Sequence, residues 1–380
     1  MSTNYFIYNN VKYIIEYNNE KIIIFKEENN KKELLSEEEN TKIKKLLNSK
    51  YSYIYNSSII NNLVYQNDNI EKKEYIINML NWLERIIPQE CRNNLYRNLK
   101  TLRTELNANV NLDELEKSTT RYSTSGGYNT KSNMIVISSA ALVGLWDIAK
   151  RTNNPQDFYS RHYSQNLLHE LVHMASSNYN YETNVSLCGF DVYPALYEND
   201  KNRGLTEGFT EIISMAGYPN TVEISSKYYI EECIINQLIQ LIGTETVIRS
   251  FFSNLGVMPL QLELNKLIDN QEKAYNLFRN IECNYTIRDL AAEQNILGNI
   301  QSSLLDYLEV KLDMMVQYSS IEEISDTLKT YEAMLITPNV LKKIGLNPQA
   351  YYGLTESVNK FDAIKTKCLL NLRDNKKSSL

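Results

Sequence analysis

Two of the three histidines in this 380-residue chain lie four residues apart in the stretch NLLHELVHMASS. At 3.6 residues per turn, His169 and His173 share one face if the segment is an α-helix. Apolar residues around them predict that this helix is buried: Leu167, Leu168, Leu171, Val172 and Ala175. The pair is compatible with half of a metal site, and equally with two core or surface histidines on an ordinary helix.

The composition predicts an α+β, mostly helical protein. Glycine (12) and proline (7) are scarce, which favours long helices with few tight turns. With 43% hydrophobic residues the chain can bury a sizeable core, and its length suits two or three domains. We predict a small N-terminal β-sheet plus helix module over 1–66, a central core over 70–284 and a C-terminal helical region over 285–380.

Two stretches have the alternating pattern of β-strands. Within residues 4–26, NYFIY, VKYIIEY and KIIIF are separated by NN and NNE, which predicts a small antiparallel sheet. A helix is expected to follow over Ser36–Leu47. In GGYNTKSNMIVIS, a hairpin is predicted to pair Ser123–Tyr128 with Met134–Ser138.

Helical spacing dominates the rest of the chain. A helix is predicted from Lys72, ended or kinked by Pro88, with a second helix after it as far as Leu106. Pro155 is expected at the first position of another helix. Lys227–Ile242 is predicted to be helical and to end at Gly243, and Thr244 is expected to cap the next helix. Residues 285–372 contain several more predicted helices.

Charge and cysteine content exclude several classes of protein. A net charge of −6 argues against nucleic-acid binding, which needs clustered positive charge. No apolar run approaches the roughly 18–20 residues of a membrane-spanning helix, so we expect no membrane association. The N-terminus MSTNYFIYNN has neither a basic nor a continuous apolar region, so no secretory signal is expected. We predict a cytoplasmic protein without disulfides, because the five cysteines are far apart and form no C-x-x-C pair: Cys91, Cys188, Cys233, Cys283 and Cys368.

The residue between the histidines bears on catalysis. Glu170 directly follows His169, one residue round the helix, where a glutamate can act as general base on a metal-activated water. A catalytic zinc also needs a third protein ligand. His162 lies seven residues before His169, about 10 Å away along an unbroken helix. It cannot reach the same ion, and we expect it to be a surface or capping histidine.

A better third ligand lies in GLTEGFTEII, which begins at Gly204, 31 residues after His173. Its apolar residues are spaced as on a helix, and Glu207 and Glu211, one turn apart, share the polar face. Two such carboxylates are ordinarily solvated. Here one of them could bind a metal while the other accepts a hydrogen bond from a ligating imidazole.

With these two motifs, HELVH and Thr206-Glu207-Gly208-Phe209, the chain resembles the gluzincin branch of the zincin metallopeptidases. More loosely, it resembles uncharacterised zinc peptidases predicted in low-GC Gram-positive bacteria. The resemblance covers residues 122–216, about a quarter of the chain. It implies a zincin-like core in which an HExxH helix and a small antiparallel sheet form the catalytic region.

The resemblance also implies roles for individual residues. His169, His173 and Glu207 would bind Zn²⁺, Glu211 would orient a histidine, and Glu170 would be the general base in the hydrolysis of a peptide or protein substrate. Tyr228 or Tyr229 would supply the oxyanion donor, although packing is an alternative for both in a chain with 28 tyrosines.

The chain departs from the family pattern at Thr206, where gluzincins often have asparagine. It also lacks a G-x-M-E-N stretch, so we do not predict an aminopeptidase. Two other classes of function stay open. One is a zinc-binding regulatory or interaction protein without catalytic turnover, and the other is a helical interaction protein with chance motifs. The sequence leaves the oligomeric state undetermined.

Overall fold

The structure of the protein is a computed structural model. It describes residues 3–8, 11–18, 21–28, 31–49, 79–106, 126–137, 155–194, 201–217, 228–286, 295–347 and 353–378. Helices dominate these residues and the sheets are small, which confirms the α+β, mostly helical prediction. The chain divides into two compact units, Met1–Ala175 and Ser176–Leu380. The three-part division made from the sequence stays a prediction.

The first unit begins with a four-stranded antiparallel meander. Its strands are β1 (Thr3–Tyr8), β2 (Val11–Asn18), β3 (Lys21–Glu28) and β4 (Lys31–Leu34), in that order across the sheet. Helix α1 (Glu37–Ser49) follows, and the Ser36 hydroxyl accepts the Glu39 N–H at its start. The predicted sheet and helix are confirmed, with β4 as an additional strand.

A second part of this unit combines helices with a mixed sheet. Residues 79–86 are helical, and α2 (Asn93–Thr101) follows Pro88 and a short 3₁₀ turn. Strands β5 (Arg103–Leu106), β6 (Gly126–Asn129) and β7 (Met134–Ile137) form a sheet in the order β5-β7-β6.

The antiparallel pairing of β6 with β7 confirms the predicted hairpin, although residues 123–125 and 138 lie outside the described residues. The prediction that the helix extends to Leu106 is wrong, because β5 pairs in parallel with β7. Strand β7 is distant from β5 in the sequence, and its pairing satisfies the backbone hydrogen-bonding groups of β5. The four residues of β5 are too few to show a β-strand periodicity.

Helix α3 (Pro155–Ser176) carries the HELVH motif and begins at Pro155, as predicted. Its last turns are buried, since Leu168, Leu171 and Val172 are all 0% exposed. The Asn98 side chain on α2 donates a hydrogen bond of 2.7 Å to the carbonyl of Met174. The histidine-bearing turns are therefore held by packing and by a buried side-chain-to-backbone bond.

The second unit opens with a three-stranded antiparallel meander that the sequence analysis missed, having predicted helix almost throughout this region. Its strands are β8 (Ser177–Asn180), β9 (Val185–Cys188) and β10 (Asp191–Tyr193). They are three or four residues long, too short for a period-2 pattern to be distinct. Gly189, between β9 and β10, has a φ of +59°, and Phe251 leaves no room there for a side chain.

Among the residues that the structure describes up to 286, five helices follow: α4 (Arg203–Gly217), α5 (Tyr229–Ile242), α6 (Thr244–Phe252), α7 (Met258–Leu267) and α8 (Gln271–Thr286). Helix α5 ends at Gly243, as predicted, where φ is +89°. Thr244 is the first residue of α6 rather than its cap. Four aromatic rings form the local core: Phe190, Phe209, Phe251 and Phe252.

The C-terminal helices predicted from the sequence are confirmed as α9 (Ile296–Tyr318), α10 (Ile321–Ala333), α11 (Pro338–Lys343) and α12 (Gly353–Ser378). Helices α9 and α12 run in parallel. The N–H of Gly353 donates a hydrogen bond to the Asn295 side chain, and the Lys367 ammonium donates one to the Glu309 carboxylate. A buried amide pair, Gln237 with Gln301, ties α9 to α5. Among the described residues, no helix has the length and apolar character needed to cross a membrane.

Candidate functional site

The two histidines of HELVH converge on one point. Their Nε2 atoms lie 3.1 Å apart, and the ring centroids are 4.8 Å apart with the planes inclined by 74°. Both side chains are buried, His169 at 9% and His173 at 7% exposed. Such close nitrogens either share a proton in a hydrogen bond or coordinate a common ion.

A carboxylate completes this arrangement. Ligand atoms of His169, His173 and half-buried Glu207 all lie within 4.8 Å of one another, so the three side chains can hold a metal ion. Of the two carboxylates proposed as the third ligand, the structure thus places Glu207 with the histidines. Two imidazoles and one carboxylate are a donor set typical of zinc, and they leave one coordination position open.

Two glycines determine how closely α4 approaches its neighbours in the second unit. A Cβ at Gly208 would lie 2.7 Å from the Cβ of Glu231 on α5 and 2.9 Å from its backbone carbonyl carbon. A Cβ at Gly204 would lie 2.7 Å from the Cβ of Tyr285 on α8. Helix α4 therefore contacts both helices through its backbone, and Glu207 lies between these two contacts in the sequence.

We expect Gly208→Ala to destabilise the protein. Overpacking costs up to about 3 kcal/mol, and the better helix propensity of alanine offsets about 1 kcal/mol. The net loss in the free energy of unfolding should be about 1–2 kcal/mol, measurable by urea denaturation. Gly127→Ala is the control, because no atom lies within 4 Å of a Cβ there. Equal stability of the two variants would show that α4 and α5 separate without strain.

Thr206 has a structural role at the position where gluzincins often have asparagine. Its hydroxyl accepts the N–H of Phe190 at 3.0 Å, and the carbonyl oxygens of Cys188 and Asn202 lie 3.2 and 3.1 Å from it. Threonine at this position therefore joins the β9–β10 turn to the first turn of α4. It thereby helps to fix the helix that carries Glu207.

Helix α8 brings two further ionisable groups to α4. The carboxylate of Glu282, 0% exposed, accepts the N–H of Gly204 at 3.0 Å. Burial, and to a lesser extent the charge of Asp191, raise the pKa of Glu282 to about 7, opposed by the Gly204 N–H and by Arg203. Burial, followed by the nearby Glu207 and Glu231 carboxylates, raises the pKa of Tyr285 to about 12. Tyr285 therefore keeps its proton at neutral pH and can donate a hydrogen bond.

The remaining predicted site residues differ in where they lie. Glu170 is buried at 6% exposed in the same turns of α3 as the histidines. Glu211 lies one turn after Glu207, and its predicted bond to an imidazole stays a prediction. Tyr228 precedes α5, with its ring centroid 6.5 Å from that of Tyr285. Tyr229 forms a hydrogen bond with Cys233 on its own helix. The side chain of His162 lies outside the described residues.

Two residues near the site were missed by the sequence analysis. Tyr285 and Glu282 lie about 75–80 residues after Glu207, in a helix with no motif of its own. Only the packing of α8 against α4 brings them close. By contrast, Gly204 and Gly208 both lie in the motif GLTEGFTEII, and their separation by four residues indicates a helix face that can contact another helix closely.

No known family model, curated protein or solved structure matches this chain. The function is therefore inferred from the chemistry of the site residues.

Proposed function

We propose that the protein is a zinc-dependent metallopeptidase of the gluzincin type, with a zincin-like core, that hydrolyses peptide bonds in a peptide or protein substrate. The observation that supports this most strongly is the convergence of His169, His173 and Glu207, whose ligand atoms lie within 4.8 Å of one another. The three residues come from two separate motifs whose order along the chain is that of gluzincins.

The spacing of the imidazoles fits zinc. Two nitrogens, each 2.0–2.1 Å from a tetrahedral ion, are expected to be about 3.3 Å apart. The observed Nε2–Nε2 distance of 3.1 Å is close to this value. The nitrogen–nitrogen–oxygen donor set and the deep burial of the histidines also favour zinc over calcium or magnesium, which prefer oxygen ligands.

Zinc, when bound, supplies a Lewis acid that polarises the scissile carbonyl and makes a water molecule more acidic. Glu170 then takes a proton from the attacking water and passes it to the leaving amine. The apolar residues around the motif hold Glu170 and both histidines in fixed orientations.

The presence of Glu170 favours an enzyme over a structural zinc site. A structural site usually has four protein ligands and no open position. Three protein ligands would leave the fourth position of a tetrahedral ion for a water or a substrate atom, and a buried carboxylate, Glu170, follows the first ligand directly. A catalytically silent zinc protein would need the same ligands but would have no use for this base.

A tyrosine is proposed to stabilise the negative charge that develops on the carbonyl oxygen. Tyr285 joins Tyr228 and Tyr229 as a candidate because it lies close to Glu207 and keeps its proton at neutral pH. Tyr229 already forms a hydrogen bond with Cys233. We expect Tyr285→Phe to lower kcat by about 10²–10³-fold, as is typical for loss of one such donor.

Single-turnover kinetics of the three phenylalanine variants measure this effect. Tyr229→Phe is expected to change turnover least, since its hydroxyl is bonded to Cys233 within its own helix, and a loss confined to this variant would assign the role to Tyr229. A loss confined to Tyr228→Phe would assign the role to Tyr228, and unchanged turnover in all three variants would exclude a tyrosine donor.

Cleavage of an unfolded protein tests the proposed function directly. Purified protein incubated with reduced, denatured casein should release peptides, detectable by mass spectrometry. Removing metal with a chelator should stop the release, and one equivalent of zinc should restore it. Peptide release that a chelator does not affect would contradict a metallopeptidase. Peptide release by a preparation of the His169→Ala variant would point to a contaminating protease.

A further inference from the structure

Helix α8 supplies an acceptor to the first turn of α4 from outside that helix. The first N–H groups of a helix have no partner within it and need an external acceptor. Glu282 provides one, since its Oε2 atom accepts the Gly204 N–H at 3.0 Å. The carboxylate is completely buried, so this bond is formed without competition from water.

The same face of α8 also sets the distance to α4. Tyr285 lies three residues after Glu282, and its Cβ would be 2.7 Å from a Cβ at Gly204. The backbone of α4 at Gly204 therefore lies directly against the Tyr285 side chain. A hydrogen bond to Glu282 and the packing of the Tyr285 side chain, both on one face of α8, fix the first turn of α4, in which Gly204 precedes Glu207 by three residues.

Charges around Glu282 come from two other elements. Asp191 on β10 and Arg203 on α4 both interact with it, and Arg203 is 3.6 Å from Asp191. Asp191 disfavours the ionised carboxylate, whereas Arg203 favours it. Because these influences oppose each other, we attribute the role of Glu282 to its reach and its hydrogen bond rather than to its net charge.

We propose that Glu282 is a positioning residue for Glu207. By anchoring the backbone of Gly204, it holds the first turn of α4 where the Glu207 carboxylate, three residues later, meets the two histidines. This inference rests on the proposed function, because it assigns to Glu282 an effect on metal affinity. It concerns a residue whose hydrogen bond is to the backbone of Gly204, three residues before Glu207.

Two conservative substitutions distinguish the effect of the length of the Glu282 side chain from the effect of its charge. Glu282→Asp keeps the charge but shortens the side chain, so its oxygens no longer reach Gly204. Glu282→Gln keeps the length and an acceptor oxygen but removes the charge. The control is Glu84→Asp in the other unit, a buried glutamate that accepts the Tyr96 hydroxyl at 2.6 Å.

Zinc affinity of the folded variants, measured by competition with a chromophoric chelator, is the main readout. We expect Glu282→Asp to weaken zinc binding about 10-fold, the lower end of the usual effect of residues that support a ligand. Glu282→Gln and Glu84→Asp should bind zinc as the wild type does. Amide hydrogen exchange of residues 203–207 in the metal-free protein should be faster in Glu282→Asp alone.

The outcomes separate this proposal from the proposed function. If the wild type binds zinc and Glu282→Asp binds it equally tightly, only the positioning role is wrong. Equal weakening in Glu282→Asp and Glu282→Gln would assign the effect to charge and overturn the proposal. If the wild type binds no zinc, the metallopeptidase proposal fails and the positioning role fails with it.

Discussion

His169→Ala and His173→Ala should each abolish stoichiometric zinc binding, while the wild type retains one zinc per chain. Each variant removes one of three ligands, and the remaining two leave the ion open to solvent and to competing chelators. The measurement is elemental analysis after gel filtration in metal-free buffer. His162→Ala is the matched control, because it removes the third histidine of the chain, which lies about 10 Å further along the helix axis.

The same measurement distinguishes the two carboxylates of α4. Glu207→Ala should lose the zinc, as the histidine variants do. Glu211→Ala should retain it with an affinity lowered by about 10–100-fold, the usual effect of losing a partner of a ligating imidazole. The reverse ranking would assign the ligand to Glu211, and zinc retained in both histidine variants would exclude this site altogether.

Glu170→Gln should keep the zinc and the fold but lower hydrolysis by about 10²–10⁴-fold, the usual contribution of a general base. An amide has nearly the same shape as the carboxylate but cannot accept the proton of the attacking water. Peptide release from denatured casein, followed under single-turnover conditions, measures the loss. Zinc content and thermal denaturation of the same sample show whether the site and the fold are intact.

Glu182→Gln is the control for this experiment, because Glu182 is an exposed glutamate in the β8–β9 turn. It should cleave at the wild-type rate. If Glu170→Gln also cleaves at that rate, Glu170 is not the base. If the wild type binds zinc but cleaves nothing, the zinc-binding regulatory protein becomes the better interpretation.

The candidate ligands could be predicted because their spacing has a geometric meaning. A separation of four residues on a helix places His169 beside His173 without any knowledge of the fold. The same argument placed Glu207 and Glu211 on one face of α4. It could not decide between them, because two residues one turn apart on a helix have the same periodicity and only their positions in space distinguish them.

Other parts of the fold depend on contacts that leave no local pattern. Strand β5 forms because it pairs with β7, which is distant in the sequence. The sequence of Arg103–Leu106 alone predicts the end of a helix. Tyr285 and Glu282 lie near the site because α8 packs on α4. The sequence of α8 itself contains only the apolar spacing of an ordinary buried helix.

The interior glycine of α4, Gly208, has a consequence for the order of folding and of the proposed metal binding. Gly208, in the interior of α4, disfavours an isolated helix by about 1 kcal/mol relative to alanine, so GLTEG has little tendency to be helical before α5 and α8 surround it. A newly made chain therefore offers the HELVH histidines without a correctly presented Glu207. If the protein binds zinc as proposed, the three ligands come together only once tertiary packing is complete, so we expect high-affinity metal binding to be a late event in folding.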